Sequence, residues 1–245
     1  MKVEYFKEYS NCLHREMEFK IYGHTGIPLL VFPAQDGRFY DFENFGMVSV
    51  IADKIEAGSI QVFCLDSIDG ECWSDEGGNG PHRTYMMEQW YYYVMNELIP
   101  RIFDINGTGQ KIYTTGCSMG ATHAANFMFR RPDIFQGCIC LSGYYDSDLF
   151  FGNYHDERLY NNSPIQYLEG MSYDHPYVEM YRHCDIILCC GQGAWEDEMI
   201  YSTHRMQELL ENKDIPAWID YWGYDVNHDW DWWQIQLPYF INHIL

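Results

Sequence analysis

Five consecutive residues, Gly116-Cys-Ser-Met-Gly120, set a serine between two glycines in the pattern GxSxG. A serine hydroxyl is nearly inert at neutral pH. It becomes a nucleophile only when a base stands beside it and hydrogen-bond donors face the oxyanion that forms. The pattern suits that chemistry where a strand runs in and a helix leaves. The turn between them is then sharp, the serine stands clear of the sheet, and the glycines leave space that β-carbons would fill. Gln110 to Thr115 reads as such a strand, and helical spacing from Ser118 to Arg131 ends at Pro132. Ser118 is therefore the candidate nucleophile. The N–H of Met119, at the helix N-terminus, is half of a candidate oxyanion hole.

A base and an acid must follow in the order Ser, acid, His if this turn works as a nucleophile elbow. Only His228 and His243 lie beyond the last expected strand. His243 falls inside the closing helix, whereas His228 sits in a loop, Gly223 to Asp229, that can reach over the sheet. His228 is the candidate base. The acid should leave the end of the preceding strand, Asp185 to Cys190, after which come Glu196, Asp197 and Glu198 in succession. Three neighbouring carboxylates cannot all point at one imidazole, and those left over suit the N-terminus of the next helix through its dipole. Arithmetic on the sequence leaves the choice among the three open.

The elements that must hold these groups are legible as well. Val3 to Tyr22 alternates like an antiparallel hairpin. Apolar runs at Pro28–Pro33, Ile60–Leu65 and Phe135–Leu141 read as buried strands, and Ala217–Trp222 as the last. Helical spacing separates them at Met47–Glu56, in a helix broken at Pro100, at Met199–Asn212 and at Trp230–Leu245. Strands alternating with single helices imply right-handed crossovers and a doubly wound, mostly parallel sheet. The expected fold class is α/β: one domain over residues 1–245, with antiparallel edge strands at its N-terminus and a cap-like insertion at about 143–184.

The run from Thr115 through Gly137 resembles the elbow and following helix of the esterase family that groups esterase D-type S-formylglutathione hydrolases, feruloyl esterases and mycolyltransferases. Leu141-Ser-Gly143 and His228-Asp-Trp230 with Trp233 are similar to that family too. The resemblance extends from about Pro28 onward. It implies an α/β-hydrolase fold, a triad of Ser118, an acid and His228, and hydrolysis of a carboxylic ester through an acyl-enzyme. Spacing counted back from the helix at Arg205–Leu210 favours Asp197 as the acid, with Glu196 as runner-up. The segment Asp36-Gly37-Arg38 is similar to the family's first oxyanion loop, which implies the Arg38 N–H as the second donor. Cys117 and Ala121 depart from the family pattern without removing a catalytic atom. An acyltransferase with the same triad and a non-catalytic carbohydrate-binding or scaffold protein are the alternatives.

Composition limits the partners. With 36 acidic against 15 basic residues the formal charge is −21, which disfavours nucleic acid and anionic membranes. It also makes a neutral small-molecule ester a better substrate than a phosphoester. No cofactor or metal is required: Asp225, Asn227 and Asp229 mimic the start of a calcium loop but lack its glycine and later glutamate. His123 reads as a packed residue. Nine cysteines without a CxxC pair, and no signal-like or membrane-spanning apolar stretch, fit a reduced cytoplasmic protein. Self-association as a homo-oligomer is left open. Aromatics reach 18%, and Tyr144, Tyr145, Phe150, Phe151 and Tyr154 are equally suited to lining a substrate pocket or to packing the cap. By resemblance, Trp73 forms another wall.

Overall fold

The computed structural model describes residues 1–244. Eight strands form one sheet: β1 (Val3–Ser10), β2 (Arg15–Tyr22), β3 (Ile27–Phe32), β4 (Ile60–Leu65), β5 (Ile112–Cys117), β6 (Phe135–Leu141), β7 (Asp185–Cys190) and β8 (Trp218–Tyr221). Their order is β1-β2-β4-β3-β5-β6-β7-β8. β1 and β2 pair antiparallel, β2 meets β4 antiparallel, and every other neighbour is parallel. This is the α/β-hydrolase arrangement with the expected antiparallel edge.

The continuous apolar runs arise because the central strands are covered on both faces. Successive residues go to opposite cores. Leu30 and Phe32 pack on one side with Cys138, Cys140, Ile186 and Leu188. Leu29 and Val31 pack on the other with Ile139, Leu141, Ile187 and Cys189. The first face is covered by α1 (Gly80–Tyr93), α2 (Met119–Arg130) and α3 (Asp197–Glu211), the second by α4 (Trp230–Ile244) and the short helices near residues 41–56. β2 shows the half-buried alternation of a strand near the sheet edge, with Met17, Phe19 and Ile21 inward.

Two expectations change. Pro100 does not break its helix. A π turn at Val94–Leu98 follows α1, and helix resumes at Ile99–Asn106 with Pro100 in its first turn, where no N–H is needed. The helix read as beginning at Met199 begins at Asp197. Between β6 and β7 lie four short helices, Asp148–Phe151, Glu157–Asn161, Pro164–Gly170 and Pro176–Tyr181. Leu245, the last residue of the expected closing helix, lies outside the described residues. No helix among the described residues is long and apolar enough to cross a membrane.

Candidate active site

Four parallel strands deliver the site, each at its C-terminal end, where open α/β sheets bind ligands. Ser118 follows β5, Ser142 follows β6, Glu196 lies in the loop after β7 and His228 in the loop after β8. At Ser118 the backbone is left-handed, φ 57° and ψ −125°, a strained turn of the kind found at functional positions. The glycines of the motif make the turn feasible by leaving room for close contact. A β-carbon on Gly116 would stand 2.3 Å from the carbonyl carbon of Gly120, and one on Gly120 would stand 2.3 Å from the Phe32 oxygen at the end of β3. The elbow is thus pressed against both its own strand and the neighbouring one.

Across 110 residues of sequence, His228 Nε2 comes to 2.9 Å from Ser118 Oγ. Its Nδ1 lies 3.3 Å from Glu196 Oε2, and the Glu196 side chain is wholly buried. The second carboxylate oxygen accepts a 2.6 Å hydrogen bond from the Ser142 hydroxyl and a 3.3 Å bond from the Gly191 N–H. Trp233 Nε1 donates in turn to Ser142 Oγ at 3.0 Å, while its indole meets the His228 ring edge-on at 4.9 Å. A buried carboxylate held by three donors is fixed in place, and so is the imidazole that it faces. This arrangement can take a proton from Ser118 and stabilise the resulting imidazolium.

Asp197, the acid favoured by spacing, is not in this line. It and Glu198 are exposed in the first turn of α3, where their charges favour the helix dipole. The physical reason lies one residue upstream. Trp195 has a left-handed φ of 68°, which reverses the chain and sends Glu196 inward as the residue before the helix. A count from the helix that assumes a later start lands one residue too far along.

Arg38 is also displaced from its expected role. Its N–H donates to Asp41 Oδ2 at 2.8 Å, and its guanidinium is tied to Glu18 and Asp66. The tight turn Ala34–Gly37, closed by the Gly37 N–H on the Ala34 carbonyl, carries Arg38 into a separate cleft and leaves Gln35 on the wall of the cavity that Ser118 lines. Among the described residues, the Gln35 N–H donates to nothing. The Met119 N–H, in the first helical position, has no intrahelical acceptor. Sequence reasoning missed Gln35 and the Ser142–Trp233 relay. The only signal for the relay was the family-like Leu141-Ser-Gly143 and Trp233.

A cavity of about 280 Å³ opens over Ser118 and Met119, with Gln35, Glu76, Tyr144, Leu149, Phe150 and Met199 on its walls. The cap aromatics divide their work. Tyr144 and Phe150 line this cavity, while Tyr145 and Phe151 are packed into the core and Tyr154 lies against Gly80. Trp73 is buried behind Phe150 rather than exposed as a wall. Arg83 ties that region together, donating to the carbonyls of Cys72, Trp73 and Phe150. Burial lowers its guanidinium pKa despite the nearby Asp75. A larger cleft, of about 640 Å³, lies at the far end of α2 near Arg130 and Tyr167 and contains none of the triad groups.

Comparison with known proteins agrees with this fold. A ferulic acid esterase structure superposes with a TM-score of 0.77 at 16% identity, covering 99% of this chain and 96% of that one. An S-formylglutathione hydrolase from Agrobacterium tumefaciens gives 0.75 at 14% identity, covering 98% and 93%. A ferulic acid esterase from Anaeromyces mucronatus gives 0.69 at 10% identity, covering 98% and 89%. No curated protein matches by sequence. The pattern of the family described as "Putative esterase" matches residues 10–243, nearly the whole chain, and the chain belongs to that family, a carboxylic ester hydrolase on the α/β-hydrolase fold.

Proposed function

We propose that the protein hydrolyses a neutral carboxylic ester through an acyl-enzyme on Ser118, with His228 as base and Glu196 as the triad acid. The observation that carries this reading is the continuous line Ser118 Oγ–His228–Glu196, with 2.9 Å and 3.3 Å contacts. His228 takes the serine proton as Oγ attacks the ester carbonyl, and returns it to the departing alcohol. Glu196 keeps Nδ1 protonated and offsets the imidazolium charge. The N–H groups of Met119 and Gln35 receive the oxyanion, and water activated by the same histidine then releases the acid.

The cavity limits the acyl group. About 280 Å³ suits a small acyl chain or one aromatic ring, such as the ferulic acid named for two structural neighbours. Glu76 on its wall and a formal charge of −21 oppose an anionic acyl group.

Hydrolysis of p-nitrophenyl acetate and labelling by a fluorophosphonate test the reading. Both are expected in the wild type and neither in Ser118→Ala. Equal rates and labelling in the two proteins would exclude an acyl-enzyme on Ser118.

A further inference from the structure

Ser142 is a non-glycine residue in the left-handed region, with φ 57°, just past the end of β6, and it is wholly buried. Its N–H on the Cys189 carbonyl, at 2.7 Å, holds the backbone there. Glycine would take this conformation without strain. The turn therefore accounts for the backbone but not for the hydroxyl, and strain of this kind clusters at functional positions.

The hydrogens of the neighbouring groups give the hydroxyl a use. An indole nitrogen can only donate, and a hydroxyl carries one hydrogen. Trp233 Nε1 donates to Ser142 Oγ at 3.0 Å, and the other partner of Oγ among the described residues is Glu196 Oε1 at 2.6 Å. The serine hydrogen therefore goes to Glu196. Oε1 also receives the Gly191 N–H at 3.3 Å, so a proton of its own would meet two others. Oε2 is left for the His228 Nδ1–H, and Nε2 keeps its lone pair for the Ser118 hydroxyl. Trp233, in the first turn of α4, also sets its ring against His228 at 87°, 4.9 Å between centroids.

We propose that Trp233 and Ser142 are positioning residues: the donor-only indole sets the direction of every hydrogen from the core out to Ser118 and keeps Glu196 ionised. This rests on the reading of Ser118, His228 and Glu196 as a triad. Donated hydrogens stabilise a carboxylate, so their loss makes the Glu196–His228 pair take up a proton at higher pH. That proton disables the base wherever it sits. On His228 it occupies Nε2; on Glu196 Oε2 it points at Nδ1 and puts the ring hydrogen on Nε2. The charged groups on the adjoining segments are carboxylates: Asp225, Asp229 and Asp231 on the His228 loop and α4, Asp197 and Glu198 on α3, Glu76 on the cavity wall, and Asp220 on β8. All but the half-buried Asp220 are exposed. They stay the same in every variant below, so differences among the variants read the relay.

The test is the pH profile of kcat/KM on p-nitrophenyl acetate. Ser142→Gly removes the hydroxyl and suits the turn; Trp233→Phe removes the N–H and keeps an aromatic ring near His228. In Ser142→Gly the acid limb should move up by about one pH unit, so that kcat/KM at about pH 6 falls about tenfold and most of the loss returns above about pH 8. Trp233→Phe acts one hydrogen bond further out and should move the limb the same way by about half as much. A loss of equal size at every pH would show that the two residues only support packing, and wild-type profiles would show that they do nothing; either overturns the proposal. Nitrogen NMR titration of the His228 ring in the same proteins reads the shift without turnover. An upward shift there beside an inactive wild type would sink the esterase reading and keep the relay. Full esterase activity with no shift would sink the relay alone.

Discussion

Two histidines of this protein each face a buried carboxylate, and the proposed triad uses only one of them. His228 lies 3.3 Å from Glu196, and His123 lies 3.0 Å from Asp69. The second pair is the shorter and the more deeply buried, with side chains 3% and 1% exposed. Its ring is enclosed by Phe32, Trp73 and Trp90, with centroids 6.1, 6.0 and 4.8 Å away. Asp69 even retains a buried oxygen with no partner. What His123 lacks is a third group to act upon and a path to substrate. His228 has Ser118 on its other nitrogen and a cavity above that serine. A histidine–carboxylate contact is thus an orienting device that any core can contain, and the nucleophile on the far nitrogen turns it into chemistry.

The largest expected effect tests that far partner. Ser118→Ala should lower kcat by at least about 10⁴, leaving whatever rate the oxyanion donors and binding supply. Steady-state rates on p-nitrophenyl acetate measure this, with circular dichroism to show that the fold is intact.

Next comes the orienting carboxylate. Glu196→Gln should lower kcat by about 10³–10⁴, because the amide offers Nδ1 a neutral acceptor or a competing donor. Asp197→Asn should stay within about twofold, since that carboxylate is exposed and turned away. The reverse ranking would return Asp197 to the triad.

That pair of variants marks where the sequence stopped being sufficient. That Ser118 and His228 would meet was readable because each sits in a distinctive local context: a glycine-flanked turn, and a loop after the last strand. The fold was readable for a similar reason, since burial on both faces writes strands as unbroken apolar runs. Glu196 and Gln35 were not readable. Each depends on one tight turn, at Trp195 and at Ala34–Gly37, that shifts the chain relative to a residue count. Tryptophan is not a residue type that announces a left-handed turn. The Arg38 N–H was lost to Asp41, a local capping contact that competes with any distant role.

In the sealed pair, Asp69→Asn should cost stability and spare chemistry. The substitution keeps the shape but leaves His123 with a neutral partner in a buried site, worth about 1–3 kcal/mol. Urea unfolding should show the loss while kcat/KM on p-nitrophenyl acetate stays within about threefold. A thousandfold loss of kcat without destabilisation would make His123–Asp69 part of the catalytic apparatus and dissolve the contrast.

The smallest expected effect concerns adjacent residues, Cys117 and Ser118. The thiol is intrinsically the better nucleophile, yet it points into the core on the opposite face of the sheet from α2 and is 1% exposed. Burial pushes its pKa well above the usual thiol range, so at pH 8 the thiolate that alkylating agents need is scarce. Cys184, also buried, is pushed up to about 11, which leaves about 0.1% thiolate at that pH. Cys12 is the one cysteine not fully buried, and burial with Glu97 nearby raises its pKa as well. Iodoacetamide at pH 8 should therefore change activity by less than about 10%, with mass spectrometry finding modification at Cys12 before any other site. Rapid alkylation of Cys117 with loss of activity would mean that the elbow opens far enough to expose both neighbours. The separation of a sealed thiol from a presented hydroxyl would then be dynamic rather than built into the strand.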